Sequence, residues 1–301
     1  MMRKSKIKII VIVGPTTIGK STLAVDIARR FGGEIVSADS RQVYRGLDLG
    51  TGKITKKEMR DVPHHLLDVA SPTQQFSVAL YQKLATHAIA DIARRDKLPV
   101  ICGGTGLYID ALVRDIAIPE VPPNKTLRKK LAAKSTVELL EILQKLDPRR
   151  AKEIDAQNPV RLVRAIEIAR VIGSVPPLQK NSPYDCLIIG LDMSDAILKQ
   201  RIADRLLERL SKGMIAEAKH LHTKGLSWKR MDALGLEYRY LARHLRGELS
   251  RTQMIEELGS AIWQYVKRQR TWFRRDKSIQ WFTPTNRKKI FLIIEKFLTA
   301  Q

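Results

Sequence analysis

The chain contains no run of about 18 apolar residues, the length a helix needs to cross a bilayer, so nothing in it reads as a membrane span. Cysteine is almost absent, with only Cys102 and Cys186 among 301 residues. Both lie inside apolar runs, and there is no C-x-x-C pair and no Cys/His cluster. This excludes a zinc framework and a disulfide framework, and leaves buried, inert thiols. Internal repeats and low-complexity tracts are also lacking. Met1 to Lys8 is basic, but the apolar stretch after it runs directly into a phosphate-loop signature, which a cleavable leader could not include. A soluble, cytoplasmic protein is expected. Acidic residues are few: 31 Asp and Glu against 54 Lys and Arg, a net charge of +23. Such a balance favours polyanionic partners, nucleic acid or acidic membrane, over a merely solvated basic surface. The length allows one large or two medium domains, and 44% hydrophobic residues can build a core.

What is present begins with Gly14-Pro15-Thr16-Thr17-Ile18-Gly19-Lys20-Ser21. An apolar run, Ile7 to Val13, precedes it and a helical pattern follows, so the order is strand, glycine-rich turn, helix. The spacing is that of G-x-x-x-x-G-K-[ST]. Backbone N–H groups of such a turn point inward at a polyphosphate, and the new helix adds the positive end of its dipole. Lys20 supplies a full charge, and the Ser21 hydroxyl suits a magnesium ion.

Further along, Glu34 to Ser37 reads as a strand ending at Ala38-Asp39-Ser40-Arg41-Gln42-Val43-Tyr44. Ligands of open parallel sheets lie at the carboxyl ends of strands, which brings Asp39 to the phosphate loop. Asp39 also suits an N-cap, and local pattern alone leaves both roles open. Gly46 to Lys57 reads as a mobile loop. Pro63 to Val69 is a short strand candidate, and its pair His64 and His65, without a third ligand nearby, reads as structural. Phe76 to Arg95 has the spacing of an amphipathic helix. The strand Pro99 to Cys102 ends in Gly103-Gly104-Thr105-Gly106-Leu107-Tyr108, and not in the carboxylate that a phosphate-loop ATPase uses to hold magnesium. Asp192, after the strand Cys186 to Leu191, reads as a turn cap rather than a substitute.

From Ile118 the texture changes, with Pro119, Pro122 and Pro123 followed by helical patterns at 127–133, 136–146 and 159–172, ending at Gly173 and Pro176-Pro177. This predicts a helical insertion, 119–183, between core segments 1–118 and 184–301. A long helix is expected over Ile197 to Leu221, with Arg201, Arg205 and Arg209 on one solvated face. A turn at Asp232 to Tyr238 leads into another helix, and a final helix is expected over Ile255 to Arg275. From Lys267 onward ten Lys and Arg face only Asp276 and Glu295, interleaved with Trp272 and Phe273; this texture suits nucleic acid, and it equally suits rings anchored in the core with the cations facing water, so a part of each is expected.

Together these segments resemble the tRNA dimethylallyltransferase (isopentenyl-tRNA transferase) family over nearly the whole chain. The resemblance rests on Gly14 to Ser21, Asp39 to Tyr44, Gly103 to Tyr108, Asn158-Pro159 with Arg161 and Arg164 to Glu167, Leu234 to Tyr238, and Lys267 to Phe273. It implies an α/β fold, a parallel-sheet core like that of phosphate-loop NTPases, flanked by helices and carrying the helical insertion. It implies transfer of a dimethylallyl group from dimethylallyl diphosphate to N6 of the adenosine 3′ of the anticodon, with Mg2+, in a monomer. Gly14, Pro15, Thr16, Thr17, Ile18, Gly19, Lys20 and Ser21 would hold the leaving diphosphate, helped by Arg205. Asp39 would be the general base and Thr105 would orient the acceptor, so Asp39, Lys20, Thr105 and Arg205 form the implied catalytic set. Asp39, Ser40, Arg41, Gln42, Thr105, Arg128, Val160, Arg161, Leu162, Val163 and Arg164 would contact the anticodon stem-loop, with the insertion and the basic C-terminal helix as a clasp. Three positions depart from the family pattern: Ile18, Val160 and Arg209. Zinc-finger residues of eukaryotic members are lacking, so the bacterial type is the nearer match. Two rival enzymes share the loop, an adenylate prenyltransferase acting on free nucleotide and a small-molecule kinase. A non-enzymatic, nucleotide-dependent RNA-binding switch is the third alternative.

Overall fold

The computed structural model describes residues 6–116, 118–176 and 182–300; positions 1–5 of the basic start and Pro177 lie outside them. Among the described residues one sheet holds six strands: β1 (Lys8–Val13), β2 (Gly33–Ser37), β3 (His64–His65), β4 (Leu98–Cys102), β5 (Asp185–Leu191) and β6 (Gln280–Phe282). Every pairing is parallel, in the order β3-β2-β4-β1-β5-β6. The centre of such a sheet is covered on both faces, which is why β1 reads as unbroken Ile and Val. Ile10 and Ile12 face one apolar cluster, while Ile9, Val11 and Val13 face the other.

The helices follow the expected pattern in outline. They are α1 (Lys20–Phe31), a single turn α2 (Lys56–Met59), α3 (Val78–Arg94) and α4 (Gly106–Val113). Next come α5 (Lys125–Leu131), α6 (Thr136–Leu146), α7 (Pro148–Glu153) and α8 (Pro159–Ile172). The chain then runs through α9 (Asp195–Ser211), α10 (Met214–Thr223), α11 (Trp228–Leu234), α12 (Leu236–Leu245), α13 (Arg251–Phe273) and α14 (Arg287–Thr299). The chain divides into two compact units, Met1–Val113 with Ser182–Gln301, and Arg114–Asn181. The second unit is α5 to α8 around Leu131, Leu139, Leu143, Leu162 and Ile166. Side-chain caps on Asn124, Ser135, Asp147 and Asn158 start its four helices.

Several expectations are corrected. The run 197–221 is two helices, because Gly213 sits at φ 99° and ends α9 before α10 begins. Residues 232–238 are the end of α11 and the start of α12, joined at Gly235. Helix α7 adds to the expected helical patterns, with Asp147 as cap and Pro148 in its first turn. Segment 46–57 is fastened and not loose: Glu217 accepts the backbone N–H groups of Asp48, Leu49 and Gly50 at 3.1, 2.7 and 2.8 Å. Arg209 donates to Leu49 O at 2.6 Å and also to Gly50 O. Asp192 is not a simple turn cap, since its carboxylate takes two hydrogen bonds from Arg270, at 2.9 and 2.7 Å. His65 pairs with Glu34 and His64 bonds Val62 O, so the adjacent histidines are tied into the sheet edge. Among the described residues no group of three or more His, Cys, Asp or Glu could hold a metal, and no helix is long and apolar enough to cross a membrane. Both cysteines are free, and burial pushes the Cys102 thiol up to about 11, which keeps it protonated at neutral pH.

Candidate active site

Sheet register builds the site. Ile12 of β1, Cys102 of β4 and Ser37 of β2 lie in one row across three adjacent strands. Two residues beyond that row come Gly14, Gly104 and Asp39. Strands lie roughly 4.8 Å apart, so the phosphate loop and Asp39 leave the sheet roughly 10 Å from one another with the end of β4 between them. That middle position carries Gly103 and Gly104, so no side chain rises there. A cavity of about 480 Å³ results, lined among others by Thr16, Lys20, Ser21, Asp39, Gly103, Gly104 and Arg205. Gly103 has no room for more: a Cβ would lie 2.1 Å from Ala38 O. Gly103→Ala is expected to destabilise the fold by about 1–3 kcal/mol, as overpacking against a fixed backbone does, and urea unfolding measures it.

The loop itself is shaped by its sequence. Gly14 has φ 140°, and a Cβ there would meet Leu191 O at 2.4 Å. Ile18 is fully buried in the core beneath the loop, so it plugs the turn from below and leaves the backbone cradle intact. Helix α1 has Gly19 at its N-cap and no side-chain cap, which leaves its positive end for an anion. Lys20 Nζ donates to Pro15 O at 2.6 Å. Burial lowers its pKa to about 8, partly opposed by Cys102 and Asp39. Arg205 lines the same cavity and donates to Gly52 O at 2.9 Å. Burial, followed by the neighbouring Arg209 guanidinium, lowers the Arg205 pKa from its ordinary value. The expected solvated arginine face is therefore corrected for Arg205 and Arg209, which turn inward, while Arg201 alone is exposed. Arg209 also pairs with Glu237 at 3.2 Å.

Asp39 lines the cavity and holds a turn, but it caps no helix, since the next one begins at Lys56. Its Oδ1 accepts from Arg41 N at 2.8 Å and Gln42 N at 3.3 Å, which holds the turn after β2. These bonds engage one carboxylate oxygen, and the residue lines the cavity. Thr105 Oγ1 accepts from Ser40 N at 3.0 Å, so it braces the Asp39 turn. Gln42 Nε2 reaches Gly52 O at 3.4 Å.

Magnesium can be tested against these donors. The exposed Ser21 hydroxyl and the Asp39 carboxylate line the cavity, and neither is part of an all-protein cage. This fits an ion that keeps waters and takes substrate phosphate oxygens as ligands.

In the second unit, Arg128 donates to Glu167 through two nitrogens at 2.7 and 2.8 Å, and Arg164 joins the same carboxylate at 3.2 Å. Burial raises the Glu167 pKa, but these bonds and the Asn124 N–H bring it below its ordinary value. Arg161 pairs with Asp155, and Val160 is 77% exposed. Leu162 is a correction: it is fully buried in the core of its unit and has no side-chain surface to offer RNA, while Val163 packs against that core. The basic run from Lys267 divides between core and surface. Gln269, Arg270 and Phe273 are buried, whereas Lys267, Arg268, Arg274 and Arg275 face solvent.

Two residues at the site escaped sequence reasoning, Tyr265 and Gln269. Their spacing, with Trp272, is i, i+4, i+7 on α13, a signal of one helix face that the cationic pattern obscured.

The comparisons with known proteins agree with this geometry. A family model described as IPP transferase matches residues 42–276. tRNA dimethylallyltransferase 2 of Treponema denticola is 47% identical over 272 residues, 88% of this chain and 91% of its own. The crystal structure of the tRNA isopentenylpyrophosphate transferase of Bacillus halodurans superposes with a TM-score of 0.75, 36% identity and 97% coverage of both chains. A eukaryotic dimethylallyltransferase acting on tRNA gives a TM-score of 0.74 and 25% identity, covering 89% of this chain and 70% of its own. Phosphate loop, glycine-floored cavity and brace at Asp39 thus stand in a chain that belongs to the IPP transferase family.

Proposed function

We propose that the protein transfers a dimethylallyl group from dimethylallyl diphosphate to N6 of the adenosine 3′ of the anticodon in tRNA. The observation that carries this reading is the register that sets Asp39 across a glycine floor from the phosphate loop, in one cavity. The donor's diphosphate lies in the loop, its carbon end lies over Gly103 and Gly104, and the adenine amine approaches from Asp39.

The allylic carbon–oxygen bond breaks with its electron pair going to diphosphate. Lys20, Arg205, the free loop N–H groups and the α1 dipole hold the growing negative charge, an electrostatic site built before the reaction starts. N6 bonds to the donor carbon and gives a proton to Asp39 Oδ2. Thr105 keeps the Asp39 turn in place. Ser21, with the donor's phosphates, would hold a magnesium ion, which would supply further charge neutralisation to the leaving group. The adenosine must leave its stack, which costs a few kcal/mol and is cheapest in a loop. Arg41, Gln42, Arg128, Val160, Arg161 and Arg164, with the cations of α13, contact the anticodon stem-loop. The protein acts as a monomer in the cytoplasm, where its substrate is.

A competition between AMP and an unmodified anticodon stem-loop tests the acceptor. The reading predicts that label from the donor enters the stem-loop almost alone. Equal labelling of AMP would reassign the protein to free nucleotides.

A further inference from the structure

Gln269 is a buried amide with a partner at each end. Its Oε1 accepts from Thr16 N, inside the phosphate loop, at 2.9 Å, and its Nε2 donates to Gly104 O, at the end of β4, at 2.8 Å. It is 5% exposed, and the neighbouring positions of its helix, Lys267 and Arg268, face solvent. The β4 loop is moulded to this helix: a Cβ on Gly104 would lie 2.3 Å from Gln269 Nε2, and one on Gly106 would lie 2.3 Å from Trp272 Cδ1. The two sequence segments Gly103 to Tyr108 and Lys267 to Phe273 are therefore halves of one joint. Trp272 completes it through Asp110 at 2.9 Å.

We propose that Gln269 is a positioning residue that sets the distance between the donor's phosphate loop and the glycine floor over which its carbon end reacts. This rests on the prenyl-transfer reading above. Thr16 N–H points at Gln269 rather than at phosphate, so this one amide fixes the orientation of the loop's remaining N–H groups. Gly104 carbonyl is held by the same side chain, so loop and floor cannot drift apart independently. An amide does this at any pH, because one atom accepts and the other donates, whereas an ionised carboxylate has no donor. Glutamate has nearly the same shape, yet it sets a carboxylate oxygen against the Gly104 carbonyl.

The test uses the full-length protein, wild type, Gln269→Glu and Gln269→Met. Wild type is assayed first with dimethylallyl diphosphate, magnesium and unmodified tRNA, and its activity reports on the functional reading separately from the joint. Thermal unfolding, tRNA binding, kcat, and KM for the donor are then measured for each variant. Both variants are expected to bind tRNA as wild type does and to lose about 10²-fold in kcat/KM for the donor, the scale of a misplacement near 1 Å. Gln269→Glu, which sets an oxygen against the Gly104 carbonyl in a buried site, is expected to unfold below wild type, whereas Gln269→Met, which keeps the volume and adds no charge, is expected to stay nearer wild-type stability while showing this loss. A purely structural role predicts instead a lower unfolding temperature with unaltered donor KM in the active fraction. That pattern, or a folded Gln269→Met variant with wild-type kcat and donor KM, overturns the proposal.

Discussion

Asp39→Asn is expected to slow prenyl transfer by roughly 10²–10⁴-fold, the contribution of a well-placed general base, while tRNA affinity stays near wild type. The asparagine variant is chosen because Oδ1 already accepts from Arg41 N and Gln42 N. Asparagine keeps that acceptor, so the turn after β2 survives. What it removes is the second oxygen, replaced by an NH2 group that cannot take a proton from N6. Single-turnover transfer from labelled donor, measured beside tRNA binding, reads the two effects separately. Wild-type turnover in a folded Asp39→Asn variant would remove Asp39 from the chemistry and leave it a turn cap.

Lys20→Met is the second large effect, an expected loss of about 10²–10³-fold in transfer, typical for removal of one preorganised donor to developing charge. The same residue gives a pH dependence. Burial lowers its pKa to about 8, so in the donor-free enzyme the ammonium is present below that pH and lost above it. Diphosphate binds the ammonium form. The value of kcat/KM for the donor should therefore fall as pH rises through about 8 and level off below it. Lys20→Met should flatten that limb. A wild-type profile without a falling limb between pH 7 and 9 would contradict the link between burial of Lys20 and donor binding.

Much of this site can be read in the sequence because its key features are local. Gly14 to Ser21 carries its own turn, charge and helix start, and β1 before it is apolar at every central position. Asp39 and Gly104 are placed by the rule that sites form at strand ends. The sequence pattern cannot supply register, and it is register that puts both in the same row as Gly14. The misread parts depend on partners distant in the chain. Arg205 and Arg209 have the spacing of a solvated helix face, but the carbonyls of Leu49, Gly50 and Gly52 draw them inward. Gln269 sits in a run of cations and reads as surface, yet its partners Thr16 and Gly104 are 253 and 165 residues away. Strand β6 and helix α14 have short or mixed patterns that gain meaning only from docking on β5 and on the α1 face. Leu162 shows the reverse error, where a motif position was taken as contact surface although its helical phase places it in a core.

The central claim is that the phosphate loop holds a leaving diphosphate instead of a nucleotide to be hydrolysed. It is tested most directly by incubating the protein with dimethylallyl diphosphate labelled in its five-carbon group, magnesium and unmodified tRNA, followed by nucleoside analysis and phosphate assay. The account predicts labelled N6-dimethylallyladenosine from the position 3′ of the anticodon, with one diphosphate released per label and no orthophosphate. Unlabelled tRNA, with orthophosphate released from added ATP in the presence of an acceptor, would contradict it.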